Sequence, residues 1–343
     1  MEQENKNLQP DMDSRKADHI HLAFESKTSK QAADNRFYYE PLFAAHPGIS
    51  QPEPFFFLGK TLRYPIWVSS MTGGTEKAFT INMNLARLCK EFGFGMGLGS
   101  CRPLLESSAR LKDFDLRDII GNEAPFFANL GIAQLEDLLD EDRSEDIIRL
   151  VEMLRADGLI IHVNPLQEFM QPEGDAYRRP AIETIQQVLE SVKFPVIVKE
   201  VGQGMGPASI DALLRMPIAA LDFGAFGGTN FSRLELLRSD PDRMENYAPL
   251  VYVGHTADEM AGFVRESWLE NHSQIKCKQI IVSGGVENFL HGYALINSMP
   301  IPSIYGMASA FLKHATGTYE ELRHYAEMQI RALNAASAFL KVR

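Results

Sequence analysis

Cysteine is scarce. Cys89, Cys101 and Cys277 are the only three in 343 residues, and they are widely scattered. So few thiols give neither a disulfide framework nor a zinc-ligand pattern, and they point to a reducing compartment. Long apolar runs are missing too: no stretch reaches the roughly 18 residues that a membrane helix needs. The opening MEQENKNLQPDMDS lacks the apolar core of a secretory signal. Positive charge is in deficit, with 34 Lys and Arg against 45 Asp and Glu and a formal net charge of -11. That balance argues against nucleic acid or an anionic membrane as the main partner. It leaves room for an anionic small molecule held by a local basic cluster. The expectation is a cytoplasmic globular protein.

What is present is a recurring unit. Eight short apolar runs each end in small or polar residues: PIWVSSM (65–71), FGMGLGS (94–100), PFFANLG (125–131), LIIHVN (159–164), PVIVKEV (195–201), AALDFGAF (219–226), QIIVSGG (279–285) and SIYGMA (303–308). Between them lie stretches of helical period, such as INMNLARLCKEF (81–92) and EDIIRLVEMLRA (145–156), with apolar residues three and four apart. Strands alternating with helices pair in parallel, and a parallel sheet covered on both faces reads as continuous apolar runs. Eight such units specify an α/β protein, a (β/α)8 TIM barrel, in preference to an open doubly wound sheet, because no GxGxxG follows the first strand. The domain reading is a disordered polar tail over 1–14, an N-terminal arm and cap over 15–64, and the catalytic barrel over 65–343. The longest gap, between the sixth and seventh strands, should hold an elaborated loop with extra helix.

In such barrels the active site lies at the C-terminal ends of the strands. Those ends read Ser69, Ser70 and Thr72; Ser100 and Arg102; Asn129; His162, Asn164, Gln167 and Glu168; Lys199 and Glu200; Asp222 and Thr229; and Ser283. One polar strand end is an ordinary solvated loop, but seven of the eight converging on one rim make a site. Glycines cluster at MTGG (71–74), FGGTN (226–230), SGGV (283–286) and YGMAS (305–309). Tight turns need glycine anyway, so each cluster alone says little. Glycine at the seventh and eighth strands is more specific, because loops there commonly hold phosphate in this fold. Lys199 closes a buried strand and leaves three readings open: a Schiff-base nucleophile, a cation beside an electron-rich ring, or an ion pair with a neighbour such as Glu200.

Together, SRKADHI (14–20), SSMTGG (69–74), GLGSCR (97–102), ANLG (128–131), IHVNPLQE with QPEGD (161–175), VIVKEVGQGM (196–205) and GGTNFSRLE (227–235) resemble one family, the FMN-dependent type 2 isopentenyl diphosphate isomerases. The resemblance implies movement of a double bond between isopentenyl and dimethylallyl diphosphate by a 1,3-proton shift. It also implies FMN reduced by NADPH or NADH, together with Mg2+. Carried over by position, it assigns flavin contacts to Ser70, Met71, Thr72, Ser100, Asn129, Lys199 and Thr229. Flavin-phosphate contacts fall to Gly285, Val286, Ala308 and Ser309. Gln167 would touch substrate near the reacting carbons and Glu168 would bind Mg2+. Arg15, Lys16, Arg102 and His162 would be cations for the diphosphate, with Asn164 adding a hydrogen bond. For Arg15 and Lys16 to serve, their arm must fold over a site mouth, which in a homo-oligomer would belong to a neighbouring copy.

Departures from the family pattern fall mainly around the flavin phosphate. Val286-Glu287 follows Gly284-Gly285 where an apolar-Arg pair is usual, and Gly224 replaces a serine. Cys101 replaces glutamine and Ala310 a proline, while VYVGHTADEM (251–260) fits loosely. The expectation is an altered grip on FMN with an unchanged reaction. The rival readings are a hydroxy-acid-oxidase-like flavoenzyme and a degenerate, non-catalytic barrel.

Overall fold

The computed structural model describes residues 12–47, 54–70 and 76–343. Three short strands come first: β1 (Phe37–Tyr39), β2 (Phe55–Phe57) and β3 (Lys60–Leu62). Eight parallel strands follow: β4 (Ile66–Val68), β5 (Gly95–Gly97), β6 (Phe126–Gly131), β7 (Gly158–Val163), β8 (Val196–Glu200), β9 (Ala220–Asp222), β10 (Ile280–Ser283) and β11 (Ser303–Met307). They pair in chain order and close β11 onto β4, so each of the eight apolar runs supplies one stave of a barrel. β12 (Leu340–Val342) leaves the barrel and pairs antiparallel with β1.

Burial explains the sequence pattern. Every residue of β6 and β8 is buried, so neither strand alternates in polarity. Helix Glu76–Phe92 buries Ile81, Leu85, Leu88 and Cys89, the spacing of a single helical face. The segment between β9 and β10 contains the α-helices Phe231–Arg238, Pro241–Tyr247 and Ala257–Asn271. A capping box between Thr256 and Glu259 starts the last of these.

Inside the barrel, residues two apart on a strand share a face. Trp67, Phe127, Ile160, Ile197, Ala220, Ile281 and Ile304 form an apolar layer at the N-terminal end. The β2–β3 hairpin plugs that end with Phe57, Leu58 and Leu62. Its two-residue turn has positive φ at both Leu58 (50°) and Gly59 (78°), the hand that suits a tight hairpin. Gln279 pins it: Leu58 N donates to Gln279 Oε1 at 2.7 Å, and Gln279 Nε2 donates to Phe56 O at 3.3 Å. Two residues further along the strands the layer turns polar, with Ser69, Asn129, His162, Lys199, Asp222 and Ser283. The bottom of the barrel is therefore a dry core, and the chemistry begins one layer above it.

Candidate active site

Strand register sets the first row of the site. His162 pairs with Lys199 across β7 and β8, and Lys199 pairs with Asp222 across β8 and β9. His162 Nδ1 lies 2.8 Å from Asn129 Oδ1, while Asn129 Nδ2 donates to Leu98 O at 2.9 Å. With the asparagine amide so oriented, the imidazole proton sits on Nδ1 and Nε2 is an acceptor. Burial, and then the charge on Lys199, pull the His162 pKa from 6.5 down to about 3. This corrects one expectation. At neutral pH His162 is an uncharged hydrogen-bonding group and adds no positive charge for a diphosphate.

Lys199 makes no ion pair with Glu200 among the described residues. Its Nζ donates to the main-chain oxygen of Glu200 at 2.7 Å. The Glu200 carboxylate instead accepts the backbone N–H groups of Gly202, Gln203 and Gly204 at 2.7, 2.6 and 2.8 Å. Burial raises its pKa, and those three bonds oppose the rise. Asp222 is fully buried. Its Oδ1 accepts the Ser283 hydroxyl, which in turn accepts Gly224 N at 3.0 Å, and its Oδ2 has no partner among the described residues.

A cleft opens above the polar layer, and Ser70, Lys199, Val201 and Phe231 line both of its halves. One half runs under the glycine-rich ends of β9, β10 and β11, and includes Thr229, Gly285, Val286, Ala308 and Ser309. The other half contains Ser100, Asn129, His162 and Gln167. Two observations fit a phosphate-bearing ring in this cleft. The hydroxyls of Ser69 and Ser70 are buried without partners among the described residues. In addition, the backbones of Gly228 and Gly285 pack so closely that a Cβ on Gly228 would lie 3.0 Å from Gly285 N. Met71 and Thr72 fall outside the described residues, as does the tail over 1–11.

Helix Pro165–Met170 begins directly after β7, because Pro165 suits a first helical turn and cannot extend a ladder. It brings Gln167 to the wall of the cleft, while Glu168 is held beside it by Asn164 and the Asp175 backbone. Asn164 is buried, with its side-chain hydrogen bonds committed inward. Its Nδ2 donates to Gln167 Oε1 at 3.2 Å and to Glu168 Oε1 at 2.8 Å, and its Oδ1 accepts from Tyr177 Oη at 2.9 Å. Glu168 Oε2 accepts Asp175 N at 2.9 Å. A carboxylate offers about four acceptor positions, so Glu168 keeps capacity for a cation. Among the described residues no cluster of three or more His, Cys, Asp or Glu forms a ready-made metal cage. A lone carboxylate fits a metal that completes its coordination on a bound ligand's phosphates.

Arg102 Nη1 pairs with Asp175 Oδ2 at 2.8 Å, on the same loop that holds Glu168. Arg15 and Lys16 are exposed on helix Met12–Leu22 and do not line the cleft. Cys101 is buried, and burial pushes its thiol up to about 12, so it is inert at neutral pH. Sequence reasoning missed Glu235. This buried carboxylate on helix Phe231–Arg238 accepts Gln167 Nε2 at 3.4 Å and pairs with Arg238 at 2.6 Å. Its only sequence signal was a place in the GGTNFSRLE segment.

No family model matches the chain. Among curated proteins it is 35% identical over 291 residues to the isopentenyl-diphosphate delta-isomerase of Rickettsia peacockii (strain Rustic), covering 83% of this chain and 81% of that one. The chain belongs to the isopentenyl-diphosphate delta-isomerase family. A member from Nostoc sp. is 36% identical over 231 residues, covering 66% of this chain and 65% of its own. Solved structures share the barrel at low identity. The flavin-binding domain of baker's yeast flavocytochrome b2 superposes with a TM-score of 0.61 at 12% identity, over 88% of this chain and 72% of that one. A mandelate oxidase with a monooxide FMN adduct superposes with a TM-score of 0.54 at 12% identity, over 96% and 99%. Those two likenesses speak to fold.

Within the delta-isomerase family frame, two departures gain physical reasons. Gly224 has φ +53°, and any side chain there would collide with the Glu200 carbonyl, so this backbone has no place for serine. Glu287 is exposed at the edge of the cleft, and its N–H is directed to His291 Nδ1 at 3.4 Å. The described residues include no helix long and apolar enough to cross a membrane.

Proposed function

We propose that this chain interconverts isopentenyl diphosphate and dimethylallyl diphosphate in isoprenoid synthesis. FMN, reduced by NADPH or NADH, and Mg2+ would be its cofactors. The observation that carries this reading is the 35% identity to a named delta-isomerase across four fifths of both chains. The geometry supports it. When bound, reduced FMN would supply acid/base chemistry around its N5 with no net redox change. Ser70, Thr229, Lys199 and the backbone of Gly285, Val286, Ala308 and Ser309 would hold it, with Lys199 at the ring and the glycine cradle at the phosphate.

The chain's own work is to bind, orient and exclude water. An alkene is a very weak base, so protonating it needs a positioned acid and a dry pocket that protects a carbocation-like species. The apolar layer and hairpin plug close the barrel below the cleft. Neutral His162 offers Nε2 without adding charge, and Asn129 fixes its ring. Gln167 reaches toward the reacting carbons, and Glu168 would share Mg2+ with the diphosphate. Arg102, ion-paired with Asp175 on the loop that holds Glu168, would supply positive charge for that diphosphate.

The N-terminal arm supports a homo-oligomer. Ile20, Phe24, Leu42 and Phe43 are 75%, 77%, 87% and 83% exposed, more apolar surface than a lone arm should show to water. A second copy would cover it and receive Arg15 and Lys16 at its own site mouth. The three buried free thiols support a reducing, cytoplasmic setting.

The test is an anaerobic assay of dimethylallyl diphosphate formation with FMN, NADPH and Mg2+ omitted one at a time. Each omission should abolish turnover. Substrate-dependent flavin oxidation without isomerisation would favour a hydroxy-acid oxidase. A protein that stays colourless with FMN and inactive in the complete mixture would be a non-catalytic barrel.

A further inference from the structure

The loop after helix Pro165–Met170 carries a tyrosine whose hydroxyl is spent entirely on one residue. Tyr177 Oη accepts the backbone N–H of Asn164 at 3.0 Å and donates its proton to Asn164 Oδ1 at 2.9 Å. Asn164 in turn touches the two residues assigned to the reaction, donating through Nδ2 to Gln167 Oε1 and Glu168 Oε1. We propose that Tyr177 is a positioning residue, acting through Asn164 to hold Gln167 and Glu168 in their working orientation. This deepens the isomerase reading above and rests on it.

Donors and acceptors fix the orientation of the Asn164 amide. An ionised carboxylate only accepts, so Glu168 requires the NH2 end of the Asn164 amide. Rotating that amide would set Oδ1 against Glu168 Oε1 and Gln167 Oε1, three acceptors facing one another. The group that secures Oδ1 on the opposite side is the Tyr177 hydroxyl. Among the described residues its hydrogen has one acceptor, Asn164 Oδ1, while the oxygen takes the Asn164 N–H. Asn164 is 2% exposed, so neither of its bonded groups finds bulk water if the phenol is removed.

The consequence reaches Gln167. With Oε1 committed to Asn164, its Nε2 is turned outward and donates to Glu235 Oε1 at 3.4 Å. One phenol thus fixes which end of the Gln167 amide faces inward. The same loop grips Glu168 a second time through Asp175 N. It passes so close to Glu168 that a Cβ on Gly174 would collide with the Glu168 carbonyl. Loop and helix therefore meet at three points: the Gly174 backbone against the Glu168 carbonyl, Asp175 N on the Glu168 carboxylate, and the Tyr177 hydroxyl on Asn164. Of the two made by side chains, only the Tyr177 contact can be removed without altering a residue assigned to the reaction.

The test compares Tyr177→Phe, Asn164→Ala and the double variant in the full-length protein, by steady-state kinetics and by hydrogen exchange of peptides. In Tyr177→Phe, kcat should fall on the order of 10-fold while KM for isopentenyl diphosphate stays within about 2-fold, the signature of lost orientation without lost ground-state binding. The double variant should be no slower than Asn164→Ala alone, because residues acting in series are not additive. Exchange in the peptide covering 164–171 should quicken roughly 10-fold in Tyr177→Phe, with β8 unchanged. An undiminished kcat, losses that multiply in the double variant, or unaltered exchange over 164–171 would each overturn the proposal. If the wild-type protein makes no dimethylallyl diphosphate, the isomerase reading fails. Exchange alone then decides the network: quickened exchange sustains the Tyr177–Asn164 coupling, and unaltered exchange removes it.

Discussion

His162 and Lys199 stand in register on adjacent strands, and the ammonium helps keep the imidazole uncharged. A folded pKa near 3, below the ordinary 6.5, means that the folded state resists a proton which the unfolded chain accepts. Stability from this group is therefore full above about 6.5 and is lost as pH falls toward 3, at up to about 1.4 kcal/mol per pH unit. His162→Gln should flatten that dependence. Chemical denaturation at pH 7, 6 and 5 measures it, and equal acid slopes in both proteins would refute the assignment.

Gln167 touches both Asn164 and Glu235 and lines the half of the cleft away from the glycine cradle. Gln167→Ala should lower turnover on the order of 100-fold with FMN affinity unchanged. Flavin titration beside steady-state kinetics separates the two. Equal loss of both would make Gln167 a support of the flavin site.

Glu168→Gln removes the charge, and it also leaves one of the donors Asn164 Nδ2 and Asp175 N without an acceptor. The Mg2+ concentration at half-maximal activity should rise at least about 10-fold, the loss that even outer ligands can cause. A Mg2+ titration that matches the wild type would take Glu168 out of the metal site.

Gly284 has φ +79°, and a Cβ there would strike the backbone of Ala225. Gly284→Ala should cost about 1–3 kcal/mol of stability and weaken FMN retention. Gly262 is the internal contrast: it lies in helix Ala257–Asn271, and the nearest atom to its would-be Cβ is 3.9 Å away. Gly262→Ala should stabilise by up to about 1 kcal/mol. Both are read from urea midpoints, and a tolerated Gly284→Ala would show that the loop can relax.

The barrel was legible because each stave is buried on both faces and prints itself as an apolar run. The rim was legible because strand ends alternate with those runs in a fixed order. The hairpin plug was not, because FFFLGK lacks the Asn-Gly or Asp-Gly signal of a tight turn and places Leu58 at positive φ. Nor were the partners of Asn164. Two-residue periodicity places His162 and Asn164 on one face, but β7 ends at Val163 and Asn164 already caps the next helix. Its side chain turns to Tyr177, which no local pattern connects to it. The charge of His162 was misjudged for the same reason, since burial and the approach of Lys199 exist only once β7 lies against β8.

The plug has a consequence for how the protein is made. Phe57, Leu58 and Leu62 leave the ribosome long before Gln279, which fastens them across 221 positions of chain. Until β10 and β11 arrive, the hairpin is an apolar segment with no seat and the staves have no closing partner. The barrel should therefore mature late and all at once. A stalled nascent chain that ends before Gln279 would be substrate for chaperones, with no native-like fragment to protect it.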